Sequence, residues 1–217
     1  KSTIGSTFAI EKLEKKPLKK SPAPPFTTST LQQEASRKLG FSVTQTMTIA
    51  QKLYEAGKIS YIRTDSLNLS LEAISGAKNE ILNEFGEEYL KTRQFKTKSQ
   101  SAQEAHEAIR PTNFSIRDAG AHRNAKKLYE LIWKRAVASQ MAAAQLEKTV
   151  VTIGISSRPE KLIATGEIIT FSGFLKLYQE SSDEENGENG KQGLLPPLGE
   201  GQTLQLKEIV SKQGFTR

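Results

Sequence analysis

A tyrosine, an arginine and an aspartate stand at alternate positions of residues 57–66: Tyr61, Arg63 and Asp65. Alternate side chains of an extended segment point to the same face, so the spacing predicts that Ile59 and these three residues share one face. A phenol beside a guanidinium could attack or hold a phosphate. If the segment were helical, Tyr61 and Arg63 would point in nearly opposite directions.

Tyr61 needs help to act as a nucleophile. A free phenol has a pKa of about 10, so only about one molecule in a thousand is ionised at pH 7. Activation therefore demands roughly 4 kcal/mol from nearby positive charge or a base, and Arg63 could supply the charge. From spacing alone, a half-buried strand tyrosine beside a surface arginine is the favoured interpretation.

His106 is the second candidate for chemistry. On a helix, His106 and Arg110 would share a face and could grip a phosphodiester, although a surface histidine paired with a carboxylate is equally compatible with the spacing. Arg110 occupies the second histidine position of the pattern His-Glu-x-x-His, the other histidine is His122, and cysteine is absent, so a zinc site is not supported. Residues 187–192 lack a phosphate-loop glycine and Ser/Thr, so no ATP site is indicated.

The charge distribution favours a polyanionic partner. The 217 residues carry a net charge of +7, and residues 180–188 hold five acids and no base, so the remainder carries +12. A strongly basic surface favours nucleic acid. No apolar run approaches the roughly 20 residues of a membrane span, and no signal peptide opens the chain, so we expect a cytoplasmic protein without a membrane partner. Its first and last residues, Lys1 and Arg217, suggest a piece excised from a larger protein.

The elements that position these residues change character along the chain. Caps and apolar periodicity predict helices, whereas alternation and turn residues predict strands. A Lys/Pro-rich stretch at 15–25 reads as a connector, and the acidic segment 183–193 reads as a mobile loop with no assigned role. We predict helices at 31–39, from Ser42 or Thr44 to Gly57, from Asn68 or Ser70 to 85, 102–109 and 122–141, and strands at 7–14, 148–155, 162–171, 174–178 and 203–210.

This order predicts an α+β fold. A mainly helical, winged-helix-like domain over residues 26–145 is inserted into an antiparallel β domain formed by residues 1–25 and 146–217.

Residues 57–66 closely resemble the active-site signature of type IA DNA topoisomerases. Further blocks at residues 25–35, 50–57, 104–112 and 128–133 resemble the same family in the same order. Together they cover residues 25–141 densely, and a coincidence of ordered blocks is improbable. The resemblance reverses the interpretation of Tyr61.

The resemblance implies a DNA cleavage and rejoining reaction. Tyr61 would attack a backbone phosphate of single-stranded DNA and form a 5′-phosphotyrosine, and Arg63 would contact the scissile phosphate. His106 would help to hold DNA, with Arg110 and Asp65 as lesser DNA-binding candidates. Strand passage and religation would relax negatively supercoiled DNA without ATP. The helical domain would bear the tyrosine, and the β segments would form part of an arch.

One part of the family pattern is missing. Aspartate occurs only at positions 65, 118 and 183, so the family's Asp-x-Asp metal-binding domain is absent. Magnesium is therefore expected in the full-length, nucleoid-associated enzyme, at a site outside this chain, and no metal is expected within it. Ser60 stands where many members carry Thr. We expect this central piece to bind single-stranded DNA weakly, and to relax supercoils only with the remaining domains of its polypeptide.

Two other functions fit some of these residues. A winged-helix DNA-binding module without catalysis would use Tyr61 only for packing. A tyrosine recombinase also combines Tyr with Arg and His, but its tyrosine follows the histidine, whereas Tyr61 precedes His106. Recombinases leave a 3′-phosphotyrosine, so the polarity of the covalent link distinguishes the two enzymes.

Overall fold

The computed structural model describes residues 6–95, 106–179 and 198–208. These residues contain both helices and an antiparallel sheet, which confirms the α+β class. The described chain divides into two compact units, one of residues 6–18, 146–170 and 198–208, the other of residues 19–95, 106–145 and 171–179. The domain boundaries inferred from the sequence stay a prediction.

The sheet of the first unit has four strands, β1 (Phe8–Lys20), β2 (Ala144–Ile155), β3 (Arg158–Phe171) and β4 (Thr203–Leu204). Their order in the sheet is β3-β2-β1-β4. Strands β1 and β4 are antiparallel, with Phe8 opposite Leu204 and Ala9 opposite Thr203. Phe8, Ile10 and Val151 are buried, as expected for one packed face.

The described chain has four α-helices, α1 (Thr28–Leu39), α2 (Val43–Glu55), α3 (Leu71–Glu84) and α4 (Arg123–Ser139), and short 3-10 turns at Glu87–Tyr89 and Gly173–Lys176. Each α-helix begins at a side-chain cap. Thr27 forms a capping box with Thr30 at the start of α1, Ser42 and Ser70 cap α2 and α3, and the imidazole of His122 accepts from the Ala125 amide at the start of α4. None of these helices is long and apolar enough to cross a membrane.

The structure corrects four of the predicted elements. The second 3-10 turn, Gly173–Lys176, overlaps residues 174–178, which were predicted to be a strand. Strand β4 ends at Leu204, and residues 209–210 lie outside the described chain. Of the helix predicted at 102–109, residues 106–109 are not helical, and residues 102–105 lie outside the described chain. The acidic segment 183–193 also lies outside the described chain. Strand β1 continues to Lys20 through the predicted connector. Pro17 is tolerated there because, among the described residues, β4 pairs with β1 only at Phe8 and Ala9, so no described strand requires the missing amide of the proline on that edge.

Helix α4 forms the centre of the helical unit. Its buried face packs against α1, α2 and α3. Burying large apolar side chains of this kind stabilises a fold by about 1.5–3 kcal/mol each, so α4 is the main scaffold for the helices around it. The fully or nearly fully buried residues of this face include Leu128, Tyr129, Ile132, Trp133, Ala136 and Val137.

A buried polar cluster joins α4 to α1. The Arg135 guanidinium donates from Nε to the Pro24 carbonyl at 2.6 Å and lies 4.9 Å from the centre of the Phe26 ring. The Tyr178 hydroxyl donates to Oε2 of buried Glu34 at 2.8 Å. Burial raises the pKa of Tyr178 well above its ordinary value, so this phenol stays protonated and remains a donor.

Replacing Tyr178 by Phe removes the donor to Glu34. Because the carboxylate stays buried, we expect the free energy of unfolding to fall by about 1–3 kcal/mol, measured by urea denaturation at pH 7. Tyr54→Phe, which removes a hydroxyl from an exposed tyrosine, should change it by less than about 0.5 kcal/mol. Equal effects of the two substitutions would contradict this account of the cluster.

Candidate functional site

The segment that carries Tyr61 follows α2 directly. The chain reverses at Gly57, whose φ of +66° is a conformation that side-chain-bearing residues rarely adopt. Residues 58–66 then run extended with bends rather than as a regular strand. Tyr61, Arg63 and Asp65 are exposed, and the residues between and after them are buried, namely Ile62, Thr64 and Ser66.

Ile59 departs from the predicted shared face. Its side chain is only 1% exposed, whereas Tyr61 is 44% exposed. Ile59 pairs with Pro111, and Ser60 bonds to the same neighbouring segment before the chain bends around Ile62. The alternation of buried and exposed side chains is therefore shifted by one residue after Ser60, so that odd-numbered positions, buried at Ile59, are exposed from Tyr61 to Asp65. The prediction was wrong for Ile59.

Ser60 fastens one side of the Tyr61 segment. Its amide donates to the Arg110 carbonyl at 2.9 Å. Its hydroxyl donates to the Ala108 carbonyl at 2.8 Å and accepts from the Arg110 amide at 2.9 Å. The backbone next to Tyr61 is thus bonded to residues 108–110, which follow directly after His106.

Thr28, the first residue of α1, forms hydrogen bonds to the part of the Tyr61 segment that follows Tyr61. Its hydroxyl lies 2.8 Å from the Ile62 carbonyl and 3.1 Å from the Thr64 carbonyl, and it accepts from the Thr64 amide at 2.9 Å. The Thr28 amide also donates to the Thr64 carbonyl at 2.9 Å. Both neighbours of Arg63 are therefore bonded to one helix terminus. Spacing alone did not reveal this role, because Ile62 and Thr64 lie 34 and 36 positions from Thr28 in the sequence.

Three rings lie side by side at this surface. The ring centres of Tyr61 and His106 are 6.0 Å apart with planes at 74°, and those of Tyr54 and Tyr61 are 5.5 Å apart with planes at 68°. The sequence-predicted pair Tyr61 and His106 is thus brought together, and Tyr54 joins it. Edge-to-face contacts of this kind fix ring orientation while leaving polar edges accessible.

Arg110 does not share a helix face with His106, contrary to the prediction. Residues 106–109 are extended, and Ile109 pairs with Phe26. The prediction that a helix places His106 and Arg110 on one face is therefore wrong. The Arg110 guanidinium instead binds Oε2 of Glu107 at 2.6 and 3.1 Å and the Pro111 carbonyl at 3.0 Å. Its side chain is only 14% exposed.

Glu107 is a residue that the motif analysis missed. Its Oε1 accepts from the Ser70 amide at 2.5 Å, at the start of α3, while its Oε2 holds Arg110. Burial opposes ionisation of Glu107, but the hydrogen bonds from Ser70 and Arg110 outweigh it and hold its pKa below the ordinary value. Glu107 therefore joins α3 to the segment that carries His106.

The charged groups beside Tyr61 are available to a ligand. Arg63 and Asp65 are both exposed, and within the described chain neither forms a salt bridge. The described residues contain no cluster of three or more His, Cys, Asp or Glu side chains that could hold a metal ion. The exposed guanidinium of Arg63 is a donor suited to a phosphate.

Comparison with known proteins gives a consistent result. A family model described as DNA topoisomerase matches residues 1–217. DNA topoisomerase 1 of Zymomonas mobilis is 49% identical over 215 residues, which cover 97% of this chain and 18% of that protein. DNA topoisomerase 1 of Rickettsia felis is 45% identical, over 96% of this chain and 28% of that protein.

A solved structure agrees with these relatives. Full-length topoisomerase I from Thermotoga maritima matches with a TM-score of 0.76 and 36% identity, over 92% of this chain and 32% of that chain. The chain therefore spans less than a third of the length of each of these relatives. The resemblance found in the sequence is confirmed.

Removing the Thr28 hydroxyl should loosen the Tyr61 segment. Thr28→Val leaves the Thr64 amide without its acceptor, so hydrogen exchange at this amide should accelerate by about 5- to 150-fold, as expected for a loss of about 1–3 kcal/mol. Thr28→Ser keeps the hydroxyl and should exchange nearly as the unchanged protein does. If the valine variant protected this amide fully, the hydroxyl would not be what holds the segment.

The lowered pKa of Glu107 predicts a specific acid response. A carboxyl with a depressed folded-state pKa stabilises the fold above its ordinary value of 4.5, and this contribution disappears as pH falls through the folded-state value. Urea midpoints of the unchanged protein should therefore exceed those of Glu107→Gln above pH 4.5 and converge with them at lower pH. A constant gap between the curves for Glu107→Gln would contradict the role of this carboxylate.

Proposed function

This chain belongs to the DNA topoisomerase family, and we propose that it carries the nucleophile of a type IA reaction, with Tyr61 as the attacking residue. The observation that carries the proposal is the exposed phenol of Tyr61 on a backbone that is bonded on one side to residues 108–110 and on the other to α1. Fixed backbone on both sides suits a nucleophile that must meet phosphorus in a defined geometry.

The proposed step exchanges one phosphodiester for another. The Tyr61 oxygen bonds to phosphorus and loses its proton, and the bond from phosphorus to the 3′ oxygen breaks. The departing oxygen gains a proton and becomes a 3′-hydroxyl, while the phosphate stays joined to the 5′ carbon and to Tyr61. Religation reverses each of these changes. Because bond types are conserved, no ATP is consumed.

Arg63 is the proposed partner of the scissile phosphate. Its exposed guanidinium carries a permanent positive charge, and within the described residues no carboxylate neutralises it. Such a charge would stabilise both the phosphate and the phenolate character that develops at Tyr61. Two positions along an extended segment separate the two residues, so both would reach the same phosphate.

The remaining site residues divide into two roles. His106 lies beside Tyr61 and would hold DNA at the site, and exposed Asp65 would support the same face. Arg110 is bound by Glu107 and is largely buried, so it would act as a positioning residue for the segment that carries His106. This assigns Arg110 an indirect effect on DNA rather than a contact.

The wider activity would need more polypeptide than these 217 residues. Single-stranded or negatively supercoiled DNA is the proposed partner, with further domains of a longer polypeptide completing cleavage, strand passage and religation in the cytoplasm. The site of the magnesium ion used by such an enzyme is proposed to lie outside this chain, because the sequence lacks the Asp-x-Asp pattern of the family's metal-binding domain. We expect the chain alone to bind single-stranded DNA weakly and to leave a supercoiled plasmid unrelaxed.

Tyr61→Phe should abolish the covalent adduct with DNA. The experiment incubates the longer protein containing this chain with end-labelled single-stranded DNA, adds denaturant, and measures labelled protein on a denaturing gel. Phe keeps the ring but lacks the attacking oxygen, so adduct should fall by at least about 1,000-fold.

Tyr89→Phe is the matched control, since Tyr89 is a buried tyrosine whose hydroxyl lies 3.3 Å from Ser172. This variant should retain the adduct. An adduct that survives Tyr61→Phe would contradict the assignment of the nucleophile. A 3′-phosphotyrosine would indicate recombinase chemistry, and binding without any adduct would indicate a DNA-binding module.

A further inference from the structure

We propose that Tyr54 is a base-stacking residue, which holds a nucleobase of the DNA strand beside the phosphate that Tyr61 attacks. The inference rests on the proposed function and adds a contact to it. Tyr54 would bind bases of any sequence, because every base presents a flat aromatic face.

Tyr54 is placed beside Tyr61 by the end of α2. The Gly57 amide donates to the Tyr54 carbonyl at 2.8 Å, and the Lys58 amide donates to the Leu53 carbonyl at 2.9 Å. Leu53 is buried and anchors this turn in the core. The reversal brings Tyr61 back alongside Tyr54, and the two ring centres lie 5.5 Å apart.

The ring of Tyr54 remains accessible in this arrangement. It is 38% exposed, and its centre lies 5.5 Å from that of Tyr61. Because the two planes meet at 68°, this contact covers at most one face of either ring. The other face of Tyr54 is the surface on which we place a base.

The distance to Tyr61 suits a neighbouring nucleotide. Successive nucleotides advance by about 3.4 Å along one strand of B-DNA, so 5.5 Å between ring centres corresponds to about one or two steps. A base held on Tyr54 would thus belong to a nucleotide adjacent to the attacked phosphate. Exposed Lys52 and Lys58 lie near this end of α2 and favour a phosphate backbone close by.

A second role for Tyr54 makes a different prediction. If its ring only held the Tyr61 ring in place, removing it would weaken DNA binding regardless of which base is present. A stacking role instead makes the loss depend on one particular base. Single abasic sites in the DNA therefore separate the two roles.

The test measures binding of the 217-residue chain to fluorescent single-stranded oligonucleotides of about 12 nucleotides by anisotropy at low salt. Tyr54→Ala should raise the Kd by about 5- to 150-fold, the range expected for loss of one stacked base. Tyr54→Phe keeps the ring and should stay within about 2-fold. Val43→Ala, at an exposed position at the opposite end of α2, is the matched control and should bind as the unchanged chain does.

The same oligonucleotide is then scanned with one abasic site at a time. At one position, the missing base should weaken binding by the unchanged chain about as much as Tyr54→Ala weakens binding to the intact oligonucleotide. The same abasic site should not weaken binding by the alanine variant any further. The proposal is overturned if Tyr54→Ala leaves the Kd unchanged or if the unchanged chain fails to bind. It is also overturned if Tyr54→Ala raises the Kd for every abasic oligonucleotide by the same factor.

Failure here is distinguishable from failure of the proposed function. Tyr61→Phe keeps the neighbouring ring and should retain oligonucleotide binding in this assay. The covalent adduct reports Tyr61 chemistry independently of how the Kd responds to Tyr54.

Discussion

The hydroxyl of Thr28 is the contact on which the candidate site depends most. It meets the backbone on both sides of Arg63 and so converts an irregular loop into a defined surface. A loop without ladder hydrogen bonds would otherwise leave polar backbone groups unpaired or mobile. Because the hydroxyl belongs to the first turn of α1, the position of the loop is set by the helix.

The core transmits this constraint through the helical unit. Helix α1 packs on the buried face of α4, and the buried groups Arg135, Glu34 and Tyr178 tie the same helices together. Ser60 and Glu107 add links to residues 108–110 and to α3. Groups suited to phosphate chemistry therefore project from a backbone that is held on several sides, while their side chains stay open to solvent.

Sequence reasoning predicted the features that depend on local patterns. Caps and apolar periodicity located α1 to α4, and alternation predicted that Tyr61, Arg63 and Asp65 share one face. The structure shows that this face is the exposed one. Spacing alone did not favour Tyr61 as a nucleophile, and only the resemblance in several ordered blocks did. Local reasoning failed at residues 106–109, which read as a helix but pair with residues distant in the chain. It also missed the contacts of Thr28 with Ile62 and Thr64 and that of Glu107 with Ser70, because these residues lie 34 to 37 positions apart in the chain.

The central claim is that Tyr61 forms the covalent bond to DNA, and mass spectrometry of the trapped adduct tests it most directly. The adduct formed by the longer protein containing this chain would be digested with nuclease and trypsin. Cleavage after Lys58 and Arg63 releases residues 59–63, in which Tyr61 and Ser60 are the hydroxyl-bearing side chains. The account predicts a nucleotide joined through its 5′ phosphate to Tyr61 of this peptide. A nucleotide on Ser60, on another peptide, or joined through its 3′ phosphate would contradict it.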